Sequence, residues 1–151
     1  MGIVTRLNEK MDSQFPNRPA ILPIRVYYED TDTGGVVYYA NYLKFFERGR
    51  TEWLRVLGLD QRVLAEREGV MFVVRRAEVA YHRPARLDDR IDIHTVVADI
   101  RASALLFTQE ARRGEELLAV GDVQVCAVHA ETFKPVRMTS SIRNLLEKAR
   151  N

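Results

Sequence analysis

The stretch from Asn41 to Gly58 most limits the folds open to this chain. Apolar side chains recur there at spacings of three and four residues, which predicts a helix with a broad apolar stripe. The stripe residues are Tyr42, Phe45, Phe46, Gly49, Trp53, Val56 and Leu57. We interpret Asn41 as the helix cap and Gly58 as its stop. Because glycine within a helix costs about 1 kcal/mol relative to alanine, Gly49 indicates a backbone packed very close to another element, such as a sheet.

Extended runs dominate the rest of the chain. A short β-prone run covers Ile24 to Tyr28, and four longer runs cover roughly residues 70–82, 90–100, 103–112 and 115–131. Turn signals between the last three predict an antiparallel meander. A shorter helix is expected from an Asp60 cap to Gly69, and a terminal helix from a cap at Ser140 or Ser141. The pattern predicts an α+β fold in which about five strands curve around the long helix.

Length and composition indicate one globular domain without a strongly charged surface. The chain has 151 residues, of which 46% are hydrophobic and 29% charged, enough for a substantial core. Residues 1–19 lack periodicity and predict a flexible tail before a single domain over residues 20–151. A net charge of +2 gives no strong field for nucleic acid or an anionic membrane. With no membrane-length apolar stretch and no signal-peptide pattern, we expect a cytoplasmic protein that is not inserted in a membrane.

The loop from Asp30 to Gly35, between the first strand and the long helix, is the best candidate for chemistry. Its two glycines permit sharp turns and close approach of a ligand. The helix start offers unpaired N–H groups and a partial positive charge, which suit an acyl oxygen that becomes anionic during attack. An upstream carboxylate could act as the nucleophile or deprotonate a water, and the residues leave both routes open. Ordinary loop and cap chemistry explains the same residues equally well.

A calcium loop is a weaker interpretation of the same segment. Asp30, Asp32 and Gly35 match positions one, three and six of an EF-hand. Gly34 at position five and Asn41 at position twelve do not match, and a strand rather than a helix precedes the loop. We therefore predict no metal site.

Other ionisable residues give weaker signals. His82, His94 and His129 lie on separate predicted strands without a metal-binding pattern, so we expect them to be structural or exposed. Several arginines near the break at Pro84 could meet phosphates, although an exposed charged face explains them equally well. These arginines are Arg75, Arg76, Arg83 and Arg86.

The run RVYYEDTDTGGVVYYANYLKFFER, from Arg25 to Arg48, resembles the 4-hydroxybenzoyl-CoA thioesterase family. Within that family it is most similar to the YbgC-like, Tol-Pal-associated acyl-CoA thioesterases. The similarity covers about residues 22–138, including YHRPARLDD from Tyr81 and the late Lys134-Pro135 pair. It implies a hot-dog fold, a homodimer or homotetramer with active sites at subunit interfaces, and hydrolysis of acyl-CoA to free acid and CoA. It implies no cofactor, because coenzyme A is part of the substrate.

The resemblance also implies roles for individual residues. The catalytic aspartate is the second acid of the D-x-D pair, here Asp32, and the N–H seven positions later, here that of Tyr39, polarises the thioester carbonyl. Many YbgC-like members have histidine at this position. This chain has Tyr39 instead, and the hydroxybenzoyl-CoA enzymes also have tyrosine there, so the resemblance does not fix the preferred acyl group. The expected substrate-binding residues are Gly34, Gly35, Val36, Tyr38 and Arg83.

Two other functions fit a hot-dog fold. A non-catalytic module would bind acyl carrier protein or an envelope-complex partner, and acyl carrier protein is also a possible partner of an enzyme. The retained Asp32 argues against such a module. A dehydratase or isomerase normally needs a histidine paired with an acid on the helix, and Tyr39 disfavours this alternative.

Overall fold

The computed structural model describes residues 20–150 and contains the predicted long helix. This helix, α1, spans Asn41–Val56 and buries its apolar stripe, including the fully buried Phe45 and Phe46. The predicted cap is wrong. Ala40 occupies the cap position, whereas Asn41 is the first helical residue and its side-chain amide donates to the Asp30 carbonyl at 2.8 Å. Asn41 therefore ties the helix start to the preceding loop.

The sheet is antiparallel and has five strands: β1 (Ala20–Arg25), β2 (Val70–Tyr81), β3 (Arg90–Ile100), β4 (Ala104–Arg113) and β5 (Glu116–His129). Their order is β1-β3-β4-β5-β2. The meander β3-β4-β5 confirms the prediction, and so does the α+β class. The predicted first strand was displaced, because Tyr28–Asp30 forms a 3-10 turn. At the opposite edge of the sheet, β2 pairs only with β5 among residues 20–150.

Gly49 lies against the sheet as predicted. A Cβ there would lie 2.8 Å from Ile93 Cγ2 and 2.9 Å from Thr95 Oγ1, closer than side-chain carbons normally approach. On β5, Gly121 leaves room in the same way for the Phe46 ring, whose nearest atom would lie 2.8 Å from a Cβ. Both glycines let α1 approach the sheet closely.

A buried polar network joins the middle of α1 to the sheet. Arg50 Nη1 donates to Gln109 Oε1 at 2.9 Å, and the Gln109 amide donates to the Phe46 carbonyl at 2.8 Å and to Thr95 Oγ1 at 2.9 Å. Gln109 and Thr95 are fully buried. Burial lowers the pKa of Arg50, which forms no salt bridge within residues 20–150. A neutral amide thus holds a buried cation, and α1 is fixed by hydrogen bonds as well as by packing.

Two shorter helices complete the described chain. Helix α2 (Gln61–Glu68) is capped as predicted, because Asp60 accepts from the N–H groups of Arg62 and Val63, and it ends at Gly69 in the left-handed conformation. Helix α3 (Ser140–Arg150) also forms.

The cap of α3 differs from the prediction. At α3 the cap is Thr139 rather than Ser140 or Ser141, since Thr139 Oγ1 accepts from the Ile142 N–H at 3.3 Å. The predicted tail of residues 1–19 lies outside the described residues. Within residues 20–150, no helix combines the length and hydrophobicity needed to cross a membrane.

Candidate active site

Residues 30–38 double back as a narrow hairpin that leads into α1. The Asp32 N–H donates to the Val36 carbonyl and the Tyr38 N–H to the Asp30 carbonyl, both at 2.9 Å. Gly35, with φ +77°, makes the reversal possible. The return arm is held by the Val37 N–H, which donates to the Ala85 carbonyl at 2.8 Å. The glycines therefore build an ordered turn.

The two aspartates of the hairpin have different surroundings. Asp30 is buried and its carboxylate accepts from the Tyr27 N–H at 2.9 Å, so it stabilises the turn. Asp32 is exposed at the tip, where Oδ1 accepts from the Gly34 N–H at 2.8 Å. Within residues 20–150 no donor contacts Asp32 Oδ2. One carboxylate is therefore structural, and the other has an oxygen available to a reactant.

The backbone donors of this segment are divided between structure and solvent. The N–H groups of Gly34, Gly35, Val37 and Tyr38 are all bonded within the fold. In the described part of the chain, the N–H groups of Tyr39 and Ala40 have no acceptor. Both lie at the start of α1, where the helix dipole is positive. Two consecutive donors are thus free for an anionic oxygen.

An aromatic cleft of about 260 Å³ opens beside these donors. It is lined by Val37, Tyr39, Tyr42, Tyr81, His82, Arg83 and Pro84. The Tyr81 ring lies 5.5 Å from that of Tyr42 and 6.1 Å from that of Tyr39, centroid to centroid, in edge-to-face contact. Burial raises the pKa of Tyr42, whose hydroxyl accepts from the Ala85 N–H at 3.3 Å. The cleft therefore has rigid aromatic walls.

The predicted site residues fall into two groups. Tyr39 and Arg83 line the aromatic cleft, whereas Asp32 lies on the hairpin and is not part of the cleft wall. The remaining predicted residues, Gly34, Gly35, Val36 and Tyr38, also belong to the hairpin and not to the wall. Within one chain the hairpin therefore reaches the cleft only through Val37, and Asp32 lies on a neighbouring surface.

The basic residues are likewise divided. Arg83 Nη1 lies 3.3 Å from Glu116 Oε2 at the cleft rim, and Arg86 forms a β-bridge with Val36 of the hairpin. Arg75 and Arg76 lie five or six residues before Tyr81, about 17–20 Å away along β2. Only the first pair is adjacent to the cleft.

The histidines do not form a cluster. The His129 ring accepts from two backbone N–H groups of its own turn, and His94 is half-buried on β3, where burial lowers its pKa. His82 is exposed on the cleft wall. Among residues 20–150, no three His, Cys, Asp or Glu side chains are grouped to bind a metal.

Sequence reasoning missed the contributions of Tyr42 and Tyr81 to the cleft. The sequence pattern places Tyr42 only on the apolar stripe of the long helix, and Tyr81 only in a segment that shares the family resemblance. Their contact depends on β2 crossing to the far side of β5, which local sequence does not encode. The one available signal was a large aromatic residue at the end of a strand, directly before the break at Pro84.

A second, larger cleft of about 500 Å³ lies between the exposed side of α1 and the edge strand β2. Leu43 and Val74 line it and are 44% and 52% exposed. The other lining residues are Lys44, Glu47, Arg48, Arg50, Ala77 and Val123. Exposed apolar side chains beside an open strand edge are features of a surface that another chain covers.

Known proteins share this architecture and much of the sequence. The family model of the Thioesterase-like superfamily matches residues 26–146. The acyl-CoA thioester hydrolase YbgC of Escherichia coli O6:H1 is 48% identical over 121 residues, covering 80% of this chain and 90% of that protein. The acyl-CoA thioesterase YbgC of Haemophilus influenzae is 42% identical, covering 80% of this chain and 89% of that protein.

Solved structures give the same result for the fold. A probable thioesterase from Bartonella henselae superposes with a TM-score of 0.76 at 37% identity, covering 83% of this chain and all of that one. A DHNA-CoA thioesterase from Staphylococcus aureus superposes with a TM-score of 0.79 at 24% identity, covering 85% of this chain and 88% of that one. The latter likeness concerns the fold alone.

Proposed function

Because the chain belongs to the Thioesterase-like superfamily, and within it to the YbgC acyl-CoA thioesterases, we propose that it hydrolyses an acyl-CoA through Asp32 and the Tyr39 N–H. By that relationship the chain is an acyl-CoA thioester hydrolase, and what we propose is the role of these residues in the hydrolysis. One observation carries it. The exposed Asp32 carboxylate lies on the hairpin that leads directly to the two free N–H groups at the start of α1.

Asp32 acts as an ionised carboxylate on the carbonyl carbon. In one route it attacks, the carbonyl electron pair moves to oxygen, and collapse expels CoA thiolate to leave a mixed anhydride that water hydrolyses. In the other route it removes a proton from the water that attacks. Both routes form an oxyanion, and both need one free oxygen on Asp32. The Gly34 N–H on Oδ1 orients the carboxylate and leaves Oδ2 for the reaction.

The Tyr39 N–H donates to the oxyanion, and the neighbouring Ala40 N–H is suited to assist it. A donor fixed in advance stabilises developing charge without reorganising, and losing one such donor typically costs about 100- to 1000-fold in kcat. The helix dipole adds to this effect. The bonded N–H groups of Gly35, Val37 and Tyr38 do not contribute directly, since the hairpin uses them.

The aromatic cleft is suited to part of the substrate next to the thioester. Its apolar walls fit an acyl group, and Arg83 and Arg86 beside it fit the phosphates of coenzyme A. Arg75 and Arg76 are too far along β2 to meet the same phosphate from within one chain. Hydrolysis by this route needs no cofactor other than the CoA of the substrate.

We further propose that a second copy of the chain completes the site. A carboxylate as exposed as Asp32 would react in a water-rich, high-dielectric setting, where its interactions are weak. The edge of β2, which has no further strand beside it in the described part of the chain, and the 500 Å³ cleft next to it offer a surface for a copy related by a twofold axis. Sedimentation equilibrium should give a dimer or a tetramer, and a monomer at assay concentration would contradict this part of the proposal.

An acyl-CoA panel with short, long and aromatic acyl groups tests the activity. Wild type should release free thiol from at least one member, whereas Asp32→Asn should lose at least about 100-fold in kcat while its stability is unchanged. The matched control is Asp122→Asn, an exposed aspartate on the sheet face away from α1, which should keep full activity. If Asp32→Asn stays within about twofold of wild type, the role of Asp32 is wrong.

The same assay with acyl carrier thioesters addresses the non-catalytic alternative, which none of the relatives named above supports. Binding of acyl carrier protein without thiol release from any thioester would favour that alternative. Thiol release with tight binding would make the carrier protein a partner of the enzyme, which otherwise stays a prediction.

A further inference from the structure

One side-chain hydrogen bond connects the end of β2 to the start of α1. The Tyr81 hydroxyl donates to the Tyr39 carbonyl at 2.9 Å, across 42 positions of sequence. Tyr39 and Ala40 carry the two free N–H groups of the proposed oxyanion site. The bond therefore acts on the peptide that links the two donor residues.

The Tyr38–Tyr39 and Tyr39–Ala40 peptides have the same hydrogen-bond arrangement. In the Tyr38–Tyr39 peptide, the carbonyl accepts from the Asn41 N–H at 2.8 Å and the N–H is free. In the Tyr39–Ala40 peptide, the carbonyl accepts from Tyr81 and the N–H is free. Because a peptide is planar, holding its carbonyl fixes the direction of its N–H. A hydrogen bond to the carbonyl also polarises the amide and strengthens its N–H as a donor.

Among residues 20–150, little else holds the Tyr39 carbonyl. Its partner within the first turn, the Tyr42 N–H, is 3.4 Å away, which is a long bond. The cap residue Ala40 has no side chain able to accept from the first turn. The orientation of this peptide thus depends on a contact from outside the helix.

Tyr81 is itself held rigidly. Its backbone pairs with Ala119 on β5, and the next two residues, His82 and Arg83, both donate their N–H groups to the Leu118 carbonyl. Its ring is fixed edge-on between two other tyrosines of the cleft. Burial and the nearby Tyr39 raise the pKa of Tyr81, so its hydroxyl keeps the proton that it donates.

We propose that Tyr81 is a positioning residue for hydrolysis, holding the Tyr39–Ala40 peptide so that its N–H, which is that of Ala40, points at the developing oxyanion. This inference rests on the proposed function. The oxyanion gains most from a fixed donor, whereas the ground-state thioester gains little. Loss of the hydroxyl should therefore lower kcat and leave substrate binding unchanged.

Tyr81→Phe tests this role because it removes the hydroxyl and keeps the ring contacts. We expect kcat to fall about threefold to tenfold, the range of one hydrogen bond. KM and the Kd of a non-hydrolysable thioether analogue of the best panel substrate should change by less than about twofold. The melting temperature should stay close to that of wild type. The control is Tyr28→Phe, since Tyr28 is 82% exposed and lies outside the cleft. This variant should change neither kcat nor KM.

The outcomes separate this inference from the proposed function. An unchanged kcat in Tyr81→Phe, alongside an active wild type and an inactive Asp32→Asn, overturns the positioning role alone. A fall in kcat accompanied by an equal rise in KM or a lower melting temperature also overturns it, because Tyr81 would then be only structural. A wild type that cleaves no member of the panel overturns both proposals.

Discussion

The middle and the start of α1 differ in whether their polar groups are hydrogen-bonded. At the middle, the Gln109 amide and the Arg50 guanidinium are buried and bonded to each other, and the Phe46 carbonyl is bonded as well. At the start, the N–H groups of Tyr39 and Ala40 have no acceptor in the described structure, and the cap position holds alanine. The middle provides stability, and the start is open to a ligand. A helix clamped at its centre can present unpaired donors at its end without fraying.

This comparison makes separate predictions for stability and activity. Substitutions at the middle should change the free energy of unfolding while the folded molecule stays active. Substitutions at the hairpin or the helix start should change kcat at constant stability. Substitutions of Gln109, Gly49 and Gly34 test that separation, and their expected cost in stability decreases in that order.

Gln109→Leu should have the largest effect on stability. It removes the acceptor of the buried Arg50 cation and the donor to the Phe46 carbonyl, and leaving a buried charge unpaired costs about 3 kcal/mol. Urea unfolding measures the loss, and kcat of the folded fraction should stay within about threefold of wild type. The control is Gln124→Leu on β5, which should cost less than about 0.5 kcal/mol. A Gln109→Leu variant as stable as wild type would show that the network does not hold α1.

Gly49→Ala should destabilise less. The new methyl group would lie 2.8 to 3.0 Å from atoms of Ile93, Thr95 and Gln109, and such overpacking costs about 1–3 kcal/mol. Alanine recovers about 1 kcal/mol of helix propensity, so we expect a net loss of up to about 2 kcal/mol. The urea midpoint measures it. A gain in stability would mean that α1 can move away from the sheet, and the middle of the helix would then not be fixed in place.

Gly34→Ala should have the smallest effect on stability and a clear effect on activity. Its Cβ would lie 3.2 Å from Asp32 Oδ1, so the carboxylate must shift by a few tenths of an ångström. We expect kcat to fall about threefold, since misplacing a reacting group by about 1 Å can cost 100-fold. Gly58→Asn at the far end of α1 is the control, because nothing lies within 4 Å of a Cβ there and asparagine tolerates its positive φ. Equal kcat values for the two variants would argue against a catalytic role for the Asp32 carboxylate.

The fold was predictable because its signals are local. Spacing of apolar residues in α1 and turn residues between β3, β4 and β5 predicted those elements closely, and Gly49 indicated a close approach that the structure contains. The caps were less predictable. Asn41 and Ser140 have side chains suited to capping, but Ala40 and Thr139 occupy the positions, because tertiary contacts fix where the first helical turn closes.

The candidate site shows the same division between local and long-range information. The D-x-D pair and the helix that follows it were visible in the sequence, and the resemblance pointed to Asp32 and Tyr39. The different burial of Asp30 and Asp32 was not visible, and neither was the aromatic cleft. Tyr81 reaches Tyr39 only because β2 crosses to the outer edge of β5.

The elements, the fold class and the candidate segment for the chemistry could be predicted from the sequence, because these follow from periodicity and from residues adjacent in the chain. Which N–H groups remain free, and what holds their peptides, depends on the tertiary structure. Whether a donor is free depends on every other group within about 3 Å, and those groups come from strands and turns distant in sequence. The hydrogen bond from Tyr81 to Tyr39 is the clearest example.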